Sequence, residues 1–431
     1  MRNIITAKIT TTILVVLITI SIFCGCDNQD VNRVNDSNNL LASVQKGSNY
    51  TEYDFKDNAT QPESYDIYIN KSTELAIKML RAEDYSKSNT ILAPMSVTLS
   101  LSALENSMNN TTLNEVKPFL GKSNYTTDTI NKCSSYITQR MKFFNTDTAG
   151  IFGVSSVWVA DSDIVKRSFL QKYKNFYHIS MYEADFTDEK TNTIISNFIA
   201  DNSNSLIPQQ SNDTKSKYKL YLDSSMAVSD VWIKNYETEN ISDGKFNLSN
   251  GKTENVTYLT SVERMFKSSS AKGFVKGFKN IPCKLVCILP DDEYTLEEYV
   301  KTLTYDKFLD LPRNISATDF ANISLPEFSV ERTGTLKNTI SNIGISEIFI
   351  KDADFSKGFS EDIFVDDFTQ SVGIKIDKNG CSVSSAKENE EKSENLTAKE
   401  TIKFDKPFLY AVVDNESYAP IIIGTINNPN S

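Results

Sequence analysis

One histidine in 431 residues is the severest shortage in this chain. It rules out an imidazole-rich zinc site and leaves one candidate base for a Ser-His or Cys-His nucleophile. Positive charge is also scarce, since 45 Lys and Arg against 56 Asp and Glu give a formal charge of −11. Nucleic-acid affinity comes mainly from clustered Lys and Arg, so no nucleic acid is expected as a partner. The sequence contains no Gly-X-Ser-X-Gly elbow, no Walker loop and no Cys-X-X-Cys pair. His178 lies in Phe176-Tyr177-His178-Ile179 with no motif around it, and is expected to be structural. No catalytic residue, cofactor or metal is therefore expected. Paired carboxylates for glycoside chemistry are a spatial arrangement that one sequence does not reveal, which leaves a hydrolase as the remote alternative. What is present in quantity is apolar material, 39% of residues with 10% aromatic, enough for a large folded core.

Arg2 and Lys8 precede the uncharged run Ile9 to Phe23, too short to span a bilayer comfortably and the right length for the core of a secretion signal. Phe23-Cys24-Gly25-Cys26 follows, and resembles a bacterial lipobox: an apolar residue, two small ones, then the cysteine that takes lipid. Residues 1–25 are thus expected to be a signal peptide. Cys26 is the expected lipid attachment, placing an exported protein on the outer face of the cell membrane. Residues 26–64 are rich in Asn, Asp, Ser and Gln and read as a flexible polar tether. Of the remaining cysteines, Cys283 and Cys287 sit four residues apart in a strand-like run, about 13 Å along a strand, too far for one disulfide. Buried thiols are expected.

Residues 65–431 show no repeat and no Pro/Ser-rich break, so they are expected to form one domain. Helical spacing appears at Leu75, Ala76, Met79 and Leu80, at Val97, Leu101 and Leu104, and at Ile194, Ile195, Phe198 and Ile199. Leu220, Leu222, Met226 and Val228 alternate as in a strand, while Leu285 to Leu289 and Phe408 to Val413 read as buried strands. Asp414 to Ser417 suggests a hairpin turn, and Gly344 after Leu336, Ile340 and Ile343 a left-handed helix cap. The class is α+β.

Several segments, taken in order, resemble one family. Asn89-Thr90-Ile91-Leu92-Ala93-Pro94-Met95-Ser96 looks like the serpin shutter segment, and Val154-Ser155-Ser156-Val157-Trp158-Val159 the family's Asn-Ser-Leu-Trp strand. Ala184-Asp185-Phe186 and the run from Ile195 to Ile207 match the next two stretches. Leu220 to Trp232 is similar to the family's central strand with its tryptophan. Leu325 to Glu331, Ala353 to Ser356, and Phe404 to Tyr410 leading to Gly424-Thr425-Ile426-Asn427-Asn428-Pro429 complete the likeness.

The resemblance implies a serpin fold, mixed sheets surrounded by helices, with an exposed reactive loop near residues 380–400. It implies a monomeric protease inhibitor: a target serine or cysteine protease cuts the loop, which then enters the main sheet and traps the enzyme as an acyl-enzyme. The alternative is a serpin-fold binding module on the cell surface that does not inhibit. The implied hinge is Gly380, Cys381, Ser382, Val383, Ser384, Ser385 and Ala386, small and uncharged until Lys387. The implied shutter and breach residues are Asn89, Pro94, Ser96, Ser224, Trp232 and Gln370; Ala93, Ser224 and Gln370 replace the family's usual Ser, Asn and His. Counting back from Pro407 puts the scissile bond at Leu396-Thr397, whereas counting forward from Gly380 reaches Glu394-Asn395.

Overall fold

The apolar spacing near Leu75 folds as expected into α1 (Tyr65–Ala82), with Leu75, Ala76, Met79 and Leu80 all buried. Helix α2 (Pro94–Glu105) is buried at every residue and carries Pro94 at its start, where the missing N–H leaves no intrahelical bond unmade. The other helices are α3 Asn110–Leu120, α4 Thr127–Phe143, α5 Arg167–Phe176, α6 Lys190–Asn202, α7 Leu296–Thr302, α8 Tyr305–Arg313 and α9 Lys337–Asn342. The computed structural model describes residues 33–48, 50–56, 59–122, 125–209, 214–381 and 397–431. At the end of α9, Gly344 takes φ +103° and the Ile345 N–H donates to Ile340 O at 3.1 Å, the expected left-handed cap.

The strands are β1 Thr90–Leu92, β2 Gly150–Gly153, β3 Ser156–Val159, β4 Ser180–Glu183, β5 Leu220–Asp223 and β6 Met226–Val231. Then follow β7 Ile241–Asn247, β8 Thr253–Lys267, β9 Ala271–Gly277, β10 Cys283–Pro290, β11 Phe320–Pro326 and β12 Phe328–Thr335. The last are β13 Asp367–Ile376, β14 Gly380–Cys381, β15 Glu400–Lys403, β16 Phe408–Asp414 and β17 Pro420–Ile426. One sheet runs β1-β17-β16-β10-β9-β8-β11-β15, with β7 attached to β8. Its two most apolar strands pair with each other, Leu285 opposite Val412 and Ile288 opposite Leu409, and both are buried along almost their whole length.

The second sheet positions the site. Strands β5 and β6 are two halves of one stretch interrupted at Ser224 and Ser225. The first half of β13 lies parallel to β5, and its middle parallel to β6. Beyond that the two strands diverge, and β14 stands between them. β12 closes the sheet on the far side of β13.

Residues 33–56 depart from the expected tether. Leu41 and Val44 are buried in the core. The Leu40 N–H donates to Met181 O at 3.0 Å and Asn39 bridges Tyr182, so the segment covers the open edge of β4. Tyr53 and Phe55 pack on Tyr136, with ring centroids 5.1 and 5.3 Å apart. A few apolar side chains landing on a preformed surface suffice to dock a segment whose average composition is polar.

Candidate functional site

The opening between β6 and β13 starts at a tight turn. Asp377 Oδ1 accepts the N–H groups of Asn379 and Gly380, at 2.8 and 3.3 Å, and this returns the chain into the sheet. Gly380 then lies opposite Val231, and Cys381 opposite both Asp230 and Ile376. No larger residue fits at the first position, because a Cβ on Gly380 would sit 2.1 Å from Asp230 O. Cys381 is wholly buried, with Sγ 3.6 Å from Val228 O. Burial raises its thiol pKa, and the Asp230 and Asp377 carboxylates raise it further, so it is a packed group and not a nucleophile.

Trp232 caps this entrance. Its indole N–H donates to Asp377 O at 2.9 Å, its backbone N–H to Asn379 O at 3.1 Å, and its ring stacks on Phe278 at 4.8 Å. Beneath it Lys276, 3% exposed, pairs with Glu263 and lies 5.4 Å from the Trp232 ring centroid. The Asp230 carboxylate is buried yet fully engaged, accepting from Val231 N, from Asn280 N and Nδ2, and from Ile281 N at 2.6–2.8 Å. It locks the end of β6 to the neighbouring loop.

Lower down, the seam between the two strands is closed by side chains. Gln370 is completely buried; its Oε1 accepts the Ala93 N–H at 3.0 Å and its Nε2 donates to Ala93 O at 3.0 Å and Ser224 O at 3.1 Å. Ser96 Oγ donates to Ser224 O at 2.5 Å. The Gln370 amide thus provides an acceptor for the Ala93 N–H and shares the Ala93 and Ser224 carbonyls with the Ser96 hydroxyl, so that helix α2, the junction of β5 and β6, and β13 are tied at one point. Asp223 was not anticipated. Its carboxylate accepts from Ser225 N at 3.1 Å and Thr369 Oγ1 at 3.0 Å, joining β5 to β13. Burial pushes its pKa up to about 7, with the Ser225 and Thr369 hydrogen bonds pulling the other way. The signal available in sequence was an acid ending the otherwise apolar run Leu220-Tyr221-Leu222.

Of the sequence-derived residues, Pro94, Ser96, Ser224 and Gln370 meet at this seam, and Trp232, Gly380 and Cys381 at the entrance. Asn89 belongs to neither. It lies four residues before Ala93 across an extended strand, and its side chain instead binds the chain's end, accepting from Asn427 N and Asn428 N and donating to Asn428 O. Ser382 to Ala386, Glu394, Asn395 and Leu396 lie outside the described residues, as does Cys26. Thr397 is exposed, and two residues on Lys399 N donates to Phe320 O where β15 begins pairing with β11. His178 lines a cavity elsewhere, beneath β2. The entrance offers a place for a strand to enter, and the ionisable groups described beside it, Asp230, Lys276 and Cys381, are buried and engaged.

The profile of the serpin (serine protease inhibitor) family matches residues 70–429. Alpha-1-antitrypsin-like protein GS55-MS of Ictidomys tridecemlineatus is 23% identical over 384 residues, covering 87% of this chain and 91% of that protein. A serine protease inhibitor of Cyanea capillata is 21% identical over 365 residues, 80% of this chain and 93% of its own. The solved native state of the thermophilic serpin tengpin superposes with a TM-score of 0.79 at 26% identity, covering 90% of this chain and 99% of that one. With a divided strand, β14 seated between β6 and β13 and a profile spanning nearly all of the folded part, the chain belongs to the serpin family.

Proposed function

We propose that this chain inhibits a serine or cysteine protease by offering the segment between Cys381 and Thr397 as bait, cut at Leu396-Thr397, and then inserting the freed hinge between β6 and β13. The observation that carries the reading is β14, two hinge residues already paired to both strands where they part. Serpin relatives named alpha-1-antiproteinase support it. Continuing the alternation from buried Cys381 puts Val383 and Ser385 on the same inward face, and neither is charged. Cys26 anchors the protein by lipid to the outside of the membrane, with the signal peptide removed.

A binding module that does not inhibit is favoured by one feature. Lys387 falls on that same inward face, where an unpaired ammonium costs several kcal/mol unless its stem reaches out to water. One experiment separates the two. Cys26→Ser should move the protein from the membrane fraction to the medium and supply soluble material for mixing with a panel of serine and cysteine proteases. An SDS-stable covalent complex with at least one of them is expected; clean cutting of the loop by every protease, with no complex, would establish the binding module.

A further inference from the structure

A buried acid spans the seam that an entering strand must part. Thr369 of β13 lies in register with Asp223 of β5 and is gripped from that side three times. Its Oγ1 donates to Asp223 Oδ2 at 3.0 Å, the Tyr221 hydroxyl lies 2.6 Å from the same Oγ1, and its carbonyl accepts the Ser224 N–H at 3.0 Å. Since Thr369 Oγ1 gives its one proton to Asp223, the Tyr221 hydroxyl donates to Thr369 in turn. The hydrogen bonds thus leave β5, cross to β13 and return. Ser225 reaches over as well, its Oγ accepting the Ser371 N–H at 2.8 Å.

No counter-charge stands beside this acid. Burial raises the Asp223 pKa to about 7 against the hydrogen bonds of Ser225 and Thr369, and among the described residues no charged side chain acts on it. The groups facing it are Tyr221 from β5, neutral throughout this range, Thr369 from β13, and Ser156 in register on β3. Helix α6 lies over the same face through Ile195, Phe198 and Ile199, which cluster with Tyr221. Asp367, two residues before Thr369, accepts from Thr335 Oγ1 and acts on Tyr221, not on Asp223. Thr369 is only partly buried, so parting the strands admits water to the carboxyl. The closed seam disfavours the charge and an open one tolerates it. By linkage, loss of the proton favours opening.

We propose that Asp223 is a proton-operated clasp on the insertion slot: as a neutral acid it keeps β5 and β13 together, and as a carboxylate it lets them part, so that the slot opens more readily in neutral and alkaline surroundings than in acid. The clasp rests on the reading of this seam as the place where the freed hinge enters, and adds the condition under which entry is fast. Glu105, the other acid raised to about 7 by burial, is placed differently. It lies nine residues along α2 from Ser96, about 13 Å, and bonds to Thr127 of α4 instead of to either strand.

The test is hydrogen exchange of the full chain, read by mass spectrometry on the peptides that carry the Ser224 and Ser371 amides, whose bonds cross the seam. After correction for the intrinsic effect of pH, these amides should exchange faster at pH 8 than at pH 5.5 by about ten- to thirtyfold, the range for half or full recovery of the ordinary carboxyl pKa when the strands part. They should do so well ahead of the β10–β16 ladder. Asp223→Asn should be flat with pH, and Glu105→Gln should keep the wild-type dependence; should Asp223→Asn fail to fold, the other two curves decide. With a protease that the wild type traps, the ratio of covalent complex to cleaved chain, taken relative to Asp223→Asn, should rise over the same range. A flat wild-type curve, a dependence that survives Asp223→Asn or vanishes in Glu105→Gln, seam amides that exchange only together with the β10–β16 ladder, or a level complex ratio would each overturn the clasp. Exchange needs no protease, so failure to trap any protease would remove the inhibitory reading while the exchange curves still decide the clasp.

Discussion

Single residues do most of the work of closing the seam. Gln370 makes contacts on both of its amide atoms inside a site that admits no water. Asp223, a few residues away across the seam, is the opposite kind of group: a carboxyl satisfied by two donors but held in a medium that disfavours its charge. Its pKa rises from 3.8 to about 7 on folding, mainly through burial, so the folded chain holds the proton more tightly than the unfolded one. The stability it contributes is therefore fully present below about pH 4 and is lost as pH rises toward 7. Glu105, also pushed up to about 7 by burial, titrates with the same sign. The two are separated by comparing wild type with Asp223→Asn, which keeps an acceptor for Ser225 N but cannot ionise. In denaturant unfolding from pH 4 to 8, the variant should gain on the wild type by on the order of 2–4 kcal/mol, most of it before pH 7. A gap between the two that does not change with pH would mean that Asp223 is not the titrating group. At this scale the sequence was informative where a residue type carries its own reason. Gln370 and Pro94 were singled out by the family resemblance alone, whereas the side chain of Asn89, given to the same cluster, binds Asn427 and Asn428 instead, a contact that leaves no trace in local sequence.

Whole elements were legible to the extent that one environment dictates their pattern. Helix α1 and the strands β10 and β16 lie in uniform surroundings, and their apolar spacing marks them directly. Strands β5 and β6 were seen as an alternation, yet all their residues are buried, since both faces of the sheet are covered. Asp223, Ser224 and Ser225 are polar because they bond to β13, and Ser229 and Asp230 because they bond to loops at Thr148 and at Asn280 and Ile281, not because they meet water. The docked segment 33–56 was illegible for a related reason: its composition is polar on average, and the few side chains that count contact distant elements. The hinge glycine teaches the same lesson. Sequence reasoning values it for flexibility, but the structure demands it for room, since any Cβ meets backbone atoms of Asp230 and Val231 at 2.1 and 2.8 Å. Neither neighbour can yield, as Asp230 is fixed by four hydrogen bonds. Gly380→Val should therefore expel β14 from the sheet. A protease that the wild type traps should then cut the variant's loop and leave, so that SDS gels show cleaved chain in place of covalent complex. A variant that still yields complex in full would mean that seating of β14 is not the first step of insertion.

For the molecule as a whole, the strand arrangement sets which state is lower in free energy once the loop is free. In the intact chain the edge of β13 that faces β5 and β6 meets them at only five register positions, Asp367, Phe368 and Thr369 against β5 and Val372 and Gly373 against β6, while its other edge is paired along β12. Entry of the segment that follows Cys381 would give up those pairs and replace them by two ladders, one on each flank of the new strand. The strand would extend from β14 toward Asp367, so about ten residues would gain partners on both sides. At roughly 0.5–1.5 kcal/mol net for each added hydrogen bond, the inserted form should be the more stable by on the order of 10 kcal/mol. What holds the intact chain back is the covalent tie at the other end, where Lys399 and β15 are paired onto β11. Cutting between Lys387 and Glu400, after one of the several Lys or Glu residues there, removes that tie. The nicked protein should then melt at a higher temperature, by roughly 10 °C or more, and its Cys381 should remain inaccessible to thiol reagents. A nick in an ordinary loop leaves stability unchanged or lowers it, because the unfolded chain gains freedom. A melting temperature that stays level or falls after confirmed cleavage would therefore remove strand insertion, and with it the inhibitory reading.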